Sequence, residues 1–203
     1  MLVGDKMFAG LLAYLLGSLS FAVLVSRAFG LPDPRTHGSG NPGATNILRT
    51  GRKSAAALTL LGDLLKGWVA VALAHFLYVK GVSPVWGEYV AAVAVLVGHM
   101  YPLFFGFKGG KGVATALGVL LALSPWLGLA CAAVWLLVFW MTRISSLSAL
   151  SAALAAPILA YVLIGHVEAV MALSLLTILI FWRHRSNIAR LLSGAEGGFV
   201  KPK

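Results

Sequence analysis

Seven apolar stretches separated by short polar segments organise this 203-residue chain. They run Met7–Phe29, Ser54–Val79, Trp86–Phe105, Val113–Leu123, Pro125–Met141, Ser148–Ile164 and Val167–Trp182. A helix needs about 20 mainly apolar residues to cross a bilayer. Charged residues make up only 11% of the chain, against about 25% in a soluble domain, too few to cover a soluble surface. The pattern excludes an ordinary soluble domain, a disordered chain and a disulfide scaffold. It predicts an all-α integral membrane protein, with residues 1–203 as a single transmembrane domain. The single cysteine, Cys131, lies in an apolar run and reads as a small buried side chain.

The first stretch differs from a signal peptide in its long apolar run and in the spans that follow, so it reads as a retained span. Val113–Leu123 is too short to cross alone. Short spans imply a protein that is thin on one side, or helices that end below the membrane surface around a water-filled recess; irregular backbone at depth must be buried or line a cavity.

Loop charge supplies the orientation. Arg27, Arg35, Arg49, Arg52, Lys53, Lys108, Lys111, Arg143, Arg183, Arg185, Arg190, Lys201 and Lys203 fall on the odd-numbered loops and the C-terminus. Lys6 and Lys80 fall on the other side, and Lys66 lies inside a span. Cytoplasmic loops concentrate Lys and Arg. The split therefore predicts seven transmembrane helices, the N-terminus outside and the C-terminus in the cytoplasm. A recess left by the short spans would then be cytoplasm-facing, the place for an active-site recess if the chain has one.

The cytoplasmic segments carry the candidate chemistry. The first reads His37-Gly38-Ser39-Gly40-Asn41-Pro42-Gly43-Ala44-Thr45-Asn46-Ile47-Leu48-Arg49. Its Gly and Asn residues tolerate positive φ, and such a chain can aim successive N–H groups at one anion. Ser39, Thr45 and Asn46 add donors and Arg49 adds a bidentate charge. A tight interhelical turn would use the same residue types. The second segment reads Phe107-Lys108-Gly109-Gly110-Lys111-Gly112-Val113-Ala114-Thr115, just after His99 and Pro102. Glycines and lysines ahead of a helix describe a phosphate site at a helix N-terminus. It is not a nucleotide-hydrolysing P-loop, since Lys111 stands five residues after Gly106. Arg143-Ile144-Ser145-Ser146 and Arg183-His184-Arg185-Ser186-Asn187 complete the set. Taken singly, their cations suit helix C-termini and the inner membrane face. Their convergence with hydroxyl, amide and glycine groups on one side points to an anion site. The basic tail can also touch lipid headgroups.

Within the second span, Asp63 and Lys66 share a helix face and can pair. Structural support for the loops is one reading of the pair, and a direct substrate role is the other. Several chemistries are excluded by their motifs. No histidine has an aspartate five positions on, as H-x-x-x-x-D acyltransfer requires. H-E-x-x-H, a cysteine cluster and G-x-S-x-G are also missing. The six acidic residues are scattered, so neither a zinc site nor a carboxylate Mg²⁺ cage is expected. The expectation is no metal and no cofactor.

The strings Gly38–Asn46, Gly98-His99-Met100-Tyr101-Pro102 with Phe107–Thr115, and Arg183–Glu196 closely resemble three motifs of the bacterial acyl-phosphate:glycerol-3-phosphate acyltransferases. The likeness runs in order over nearly the whole chain. It implies a single acyltransferase domain and an inner-membrane, multi-pass enzyme of phospholipid synthesis. The implied substrates are acyl phosphate and glycerol 3-phosphate, which yield lysophosphatidic acid and inorganic phosphate. Membrane lipid is the expected surrounding, with no nucleic acid and no obligate protein partner. The catalytic residues so implied are Ser39, Asn46, Lys108 and His184. Substrate phosphate would be bound by Gly40, Asn41, Gly43, Thr45, Arg49, Gly109, Gly110, Lys111, Thr115, Arg143, Ser146, Arg183 and Asn187. Pro42, where the family also admits other residues, removes one N–H from the first loop.

An acyl phosphate already carries a good leaving group, so direct attack by the glycerol C1 hydroxyl needs no protein nucleophile. Positioning and donors to the carbonyl oxygen then supply the rate. His184 could accept the hydroxyl proton. The resemblance points instead to the substrate's own phosphate as acceptor, with His184 binding it. The rival from another class is a transporter of small organic anions or phosphate esters. Such proteins typically show inverted repeats and a midplane site, and the polar groups here lie on one side.

Overall fold

A computed structural model of the chain describes residues 3–82 and 86–197, with side chains from residue 8 onward. Lys201, Lys203 and part of the Gly81–Pro84 loop lie outside the described residues. The described residues contain helices and turns and no strand. The chain divides into two compact units, Met1–Leu123 and Ser124–Lys203.

The first unit contains α1 (Val3–Gly17), α2 (Phe21–Ala28), α3 (Ala44–Leu48), α4 (Lys53–Val79), α5 (Gly87–Met100) and α6 (Val113–Leu123). A single 3₁₀ turn, Leu103–Phe105, follows α5. The first apolar stretch is not one continuous helix: it breaks between Gly17 and Phe21. A break at this depth exposes backbone that lipid cannot satisfy, and side chains answer it. The Ser18 hydroxyl donates to Tyr14 O at 2.9 Å and accepts from Leu103 N at 3.2 Å. Lys66 of α4 donates to Leu19 O at 2.7 Å.

Two helix pairs, α1 with α5 and α4 with α6, pack closely through small residues. A Cβ on Gly17 would lie 2.2 Å from Val95 O, and one on Gly98 2.2 Å from Tyr14 O. On the second pair, Cβ atoms on Gly67 and Gly118 would lie 2.2 Å from Thr115 O and 1.9 Å from Leu64 O. Each contact is backbone on backbone, so the helices would have to separate to admit a side chain there.

The second unit contains α7 (Pro125–Thr142), α8 (Ser145–Leu163), α9 (Val167–Arg183) and α10 (Arg185–Leu192). Ser124 caps α7, accepting from Leu127 N at 3.4 Å, and Pro125 opens the helix without wasting a donor. Arg143 ends α7 in the left-handed region at φ 58°. Helix α8 buries Ala149, Ala153, Ala156 and Ala160, a small-residue face against α7 and α9. Pro157 removes an N–H and so frees the carbonyl of Ala153. Thr177 of α9 donates to that carbonyl at 2.7 Å.

The boundaries differ from expectation in two functional places. Helix α8 begins at Ser145, so Ser145 and Ser146 belong to its first turn and the connection shrinks to Arg143-Ile144. Arg185–Leu192 of the basic tail, outside every apolar stretch, forms α10, bent 65° from α9 at His184.

Among the described residues, five helical segments are long and apolar enough to cross a membrane: Phe8–Ala28, Lys53–Val79, Gly87–Phe105, Pro125–Thr142 and Ser145–Leu163. The bent pair α9–α10 makes a sixth if taken as one span. Val113–Leu123 has 11 residues, about 16 Å of helix against a hydrocarbon core of about 30 Å.

Candidate functional site

In the first unit, two polar segments meet beside the C-terminal end of α5. The first is shaped from within. Asn46, buried in α3, donates from Nδ2 to Pro34 O at 2.8 Å and His37 O at 3.1 Å, and accepts Ser39 N–H on Oδ1 at 3.0 Å. Its amide therefore organises residues 34–39 and does not point outward. Gly38 and Gly40 hold φ of 58° and 66°, and a Cβ on Gly38 would strike Asn46 Oδ1 at 2.3 Å. Arg35 pairs with Asp33 through Nη2 at 2.6 Å and donates from Nη1 to Phe105 O at 3.0 Å, which fastens the first loop to the turn after α5. The hydrogen bond from the Arg35 side chain holds the Asp33 carboxyl down at about 2. Ser39, Gly40 and Arg49 are exposed, while Asn41, Gly43 and Thr45 are half-buried.

The second segment lies flat on the end of α5. Gly110 donates its N–H to His99 O at 3.2 Å. A Cβ on Gly109 would meet His99 O at 2.1 Å, and one on Gly110 would meet His99 Nε2 at 2.4 Å and Pro42 O at 2.9 Å. These glycines let one loop rest on the other. Lys108 is exposed, Lys111 is half-buried, and Gly109 and Gly110 are buried. Thr115 is fully buried, with its hydroxyl 3.1 Å from His99 Nδ1. In this structure Thr115 touches the ring beneath the loop, and the loop's outer surface lies elsewhere.

Beneath both loops is a buried ionic cluster. Lys66 Nζ is 2.7 Å from Asp63 Oδ1, as the three-residue spacing leads one to expect. His99 Nδ1 is 3.5 Å from the same oxygen. Sequence reasoning singled out the Asp63–Lys66 pair but missed His99 as its third member. The signal available was a histidine one turn from the end of a span, next to a glycine motif.

In the second unit the polar groups collect around a carboxylate that sequence reasoning left unassigned. Glu196 Oε1 accepts from the Ser146 hydroxyl at 2.6 Å and from Asn187 Nδ2, and Arg190 Nε donates to Oε2 at 2.6 Å. Burial pushes the Glu196 carboxyl up, but the bonds from Ser146, Asn187 and Arg190 hold it below its ordinary value. Ser146 and Asn187 are thus brought together, around an anion belonging to the chain itself. His184 is buried at the α9–α10 corner, with Nδ1 2.8 Å from Ile180 O. A carbonyl can only accept, so Nδ1 carries the proton, and in the neutral ring Nε2 holds the lone pair. Arg143 is exposed and Arg183 half-buried beside this corner in sequence.

Cations, hydroxyls and backbone N–H groups at the helix ends can hold phosphate and stabilise an oxyanion. Residues 7–194 match the glycerol-3-phosphate acyltransferase family. The chain is 59% identical over 196 residues to the glycerol-3-phosphate acyltransferase of Thioalkalivibrio sulfidiphilus, covering 97% of this chain and 94% of that relative. It is 56% identical over 194 residues to that of Thiobacillus denitrificans, covering 93% of this chain and 94% of the relative. Its fold is similar to the crystal structure of PlsY, an integral membrane glycerol 3-phosphate acyltransferase, in its glycerol 3-phosphate form. That likeness has a TM-score of 0.88 at 41% identity, covering 96% of this chain and 95% of the other. The lysophosphatidic acid form of PlsY matches with a TM-score of 0.87 at 40% identity, again over 96% of this chain and 95% of the other. By these likenesses over nearly its full length, the chain belongs to the glycerol-3-phosphate acyltransferase family.

Proposed function

We propose that this protein transfers an acyl group from acyl phosphate to the C1 hydroxyl of glycerol 3-phosphate, releasing lysophosphatidic acid and inorganic phosphate. The observation that carries the reading is the pair of PlsY structures, one a glycerol 3-phosphate form and the other a lysophosphatidic acid form, each similar over 96% of this chain. The acyl phosphate donor rests on the resemblance of the three motif strings to the acyl-phosphate-dependent enzymes. A mixed anhydride needs no protein nucleophile, and the sequence offers no nucleophile elbow and no His–Asp pair of the H-x-x-x-x-D type.

The C1 oxygen attacks the acyl carbonyl carbon, the bond from that carbon to the phosphate oxygen breaks, and phosphate departs with the electron pair. The hydroxyl proton passes to a substrate phosphate. Ser39 and Lys108, exposed on their loops, bind the reacting groups. Asn41, Gly43, Thr45 and Arg49 serve phosphate from the first loop, and Gly109 and Lys111 serve it from the second. Gly40 and Gly110, whose N–H groups go to His37 O and His99 O, shape their loops instead of donating to substrate. Asn46 and Thr115 act through the loop shapes described above. Within the second unit, Arg143, Arg183 and His184 are the cationic and hydrogen-bonding groups suited to phosphate, while Ser146 and Asn187 hold the tail through Glu196. Because Nδ1 of His184 donates to Ile180 O, an Nε2–H bond to phosphate calls for the imidazolium form.

The same reading places the protein in a bacterial inner membrane with seven crossings, α6 being a short one. The N-terminus lies outside and the C-terminus in the cytoplasm, with the residues named above on the cytoplasmic side. The thirteen-to-two loop-charge split supports it. Purified protein supplied with acyl phosphate and glycerol 3-phosphate should release phosphate and form lysophosphatidate in step. Release of phosphate without lysophosphatidate, or no reaction in well-folded protein, would sink the proposal.

A further inference from the structure

Ionisable groups inside a membrane span are expensive and need a reason. Stability is a weak one, because a buried ion pair can often be replaced by apolar residues of similar volume without loss. Asp63 and Lys66 lie in the interior of α4, buried, 2.7 Å apart. Their contacts run in two directions. Lys66 reaches the broken first span at Leu19 O, 2.7 Å away. Asp63 reaches the His99 ring, 3.5 Å away, and Thr115 of α6 touches the same Nδ1 at 3.1 Å. The opposite edge of that ring faces the glycine loop, where a Cβ on Gly110 would come within 2.4 Å of Nε2. The His99 carbonyl also accepts the Gly110 N–H. One residue therefore touches Gly110 with both its main chain and its ring, and two helices grip the far side of the ring.

We propose that His99 is a positioning residue, held by Thr115 with Asp63 beside it, that seats Gly110 and so sets where the second loop presents Lys108 to a substrate phosphate. The inference rests on the phosphate-binding role proposed for the second loop. A loop that positions a charged group needs such a template, because a misplacement of about 1 Å is costly. The Thr115 hydroxyl at Nδ1 orients the ring, with the Asp63 carboxylate beside the same nitrogen, and the ring limits where Gly110 can sit. Lys66 lets the carboxylate stay charged within the span and ties the cluster to the Leu19 break.

The decisive variant is Thr115→Val, which keeps the buried volume and removes only the hydroxyl. It should raise KM by about tenfold for one of the two phosphate substrates, the worth of a hydrogen bond, with kcat little changed. Titrating acyl phosphate and glycerol 3-phosphate separately identifies which phosphate the loop receives. Thr115→Ser should restore the original KM, which a purely packing role would not predict. His99→Gln should raise the same KM further. If it fails to fold, Thr115→Val decides alone. Unchanged KM values for both substrates in Thr115→Val, or a fall in kcat with both KM values intact, overturns the inference. Lys108→Ala separates the two levels. If that variant is impaired while Thr115→Val is normal, only the role of His99 fails. If Lys108→Ala keeps wild-type kinetics for both substrates, the second loop is not a phosphate site at all.

Discussion

Each unit of this protein gathers polar groups around one carboxylate, and the two carboxylates are solved differently. Asp63 lies inside a helix long and apolar enough to cross a membrane, and its cation is three residues away on the same helix. Glu196 lies in the tail beyond α10 and draws partners from Ser146, 50 residues earlier, as well as Asn187 and Arg190. In a span no water can substitute for a missing partner, and Asp63 has its cation on the same helix and His99 on a neighbouring one. At a helix end, water competes and no single partner is obligatory. The cluster there can be assembled from distant residues by folding. Depth decides whether the carboxylate's partner must be a charge fixed within the protein or can be shared with water.

The sharpest way to break the comparison is Asp63→Ala, which strands the Lys66 ammonium in a buried site. Removing one partner of a buried pair costs about 3–5 kcal/mol, and denaturant titration in detergent should show a loss of that order. A loss below about 1 kcal/mol would mean that Lys66 reaches water and that the pair is not the obligatory kind. His184→Gln tests the second unit's chemistry. If the substrate phosphate takes the proton, KM for glycerol 3-phosphate rises while kcat at saturation is largely kept. A kcat loss of about 10²–10⁴-fold in folded enzyme would make His184 the general base instead.

The smallest effect belongs to Glu196→Gln, at about 1 kcal/mol, since water can replace part of what is lost. Its pH signature is specific. The folded carboxyl titrates below its ordinary 4.5, so its contribution is complete above that value and fades as pH falls through the folded value. Glu196→Gln should therefore abolish an acid-side decline in stability at pH below about 4.5. An unaltered stability-versus-pH curve would show that the tail cluster adds nothing.

Much of the fold was legible without coordinates because lipid imposes one strong rule, that a long apolar run must be helical. Helices α4, α5, α7 and α9 fall within a few residues of the apolar stretches read from the sequence. The misreadings have common physical causes. The break after Gly17 depends on partners 47 and 85 positions away, Lys66 and Leu103, which no local pattern reveals. Helix α10 carries too many polar residues to register as an apolar run, and Ser145 and Ser146 look like loop until the left-handed Arg143 shows where α7 ends.

For the site, the sequence by itself determined which segments carry chemistry: glycines, amides, hydroxyls and cations recur in four short strings, and the three-residue spacing predicts the Asp63–Lys66 pair. Only the tertiary structure decided which way each side chain faces. It turned Asn46 into the first loop, Thr115 onto His99, and Ser146 with Asn187 onto Glu196. Residue type limits what a group can donate or accept, and spacing limits what it can meet within its own helix. Which of its possible partners it meets is a contact between segments far apart in sequence, and that is settled by packing alone.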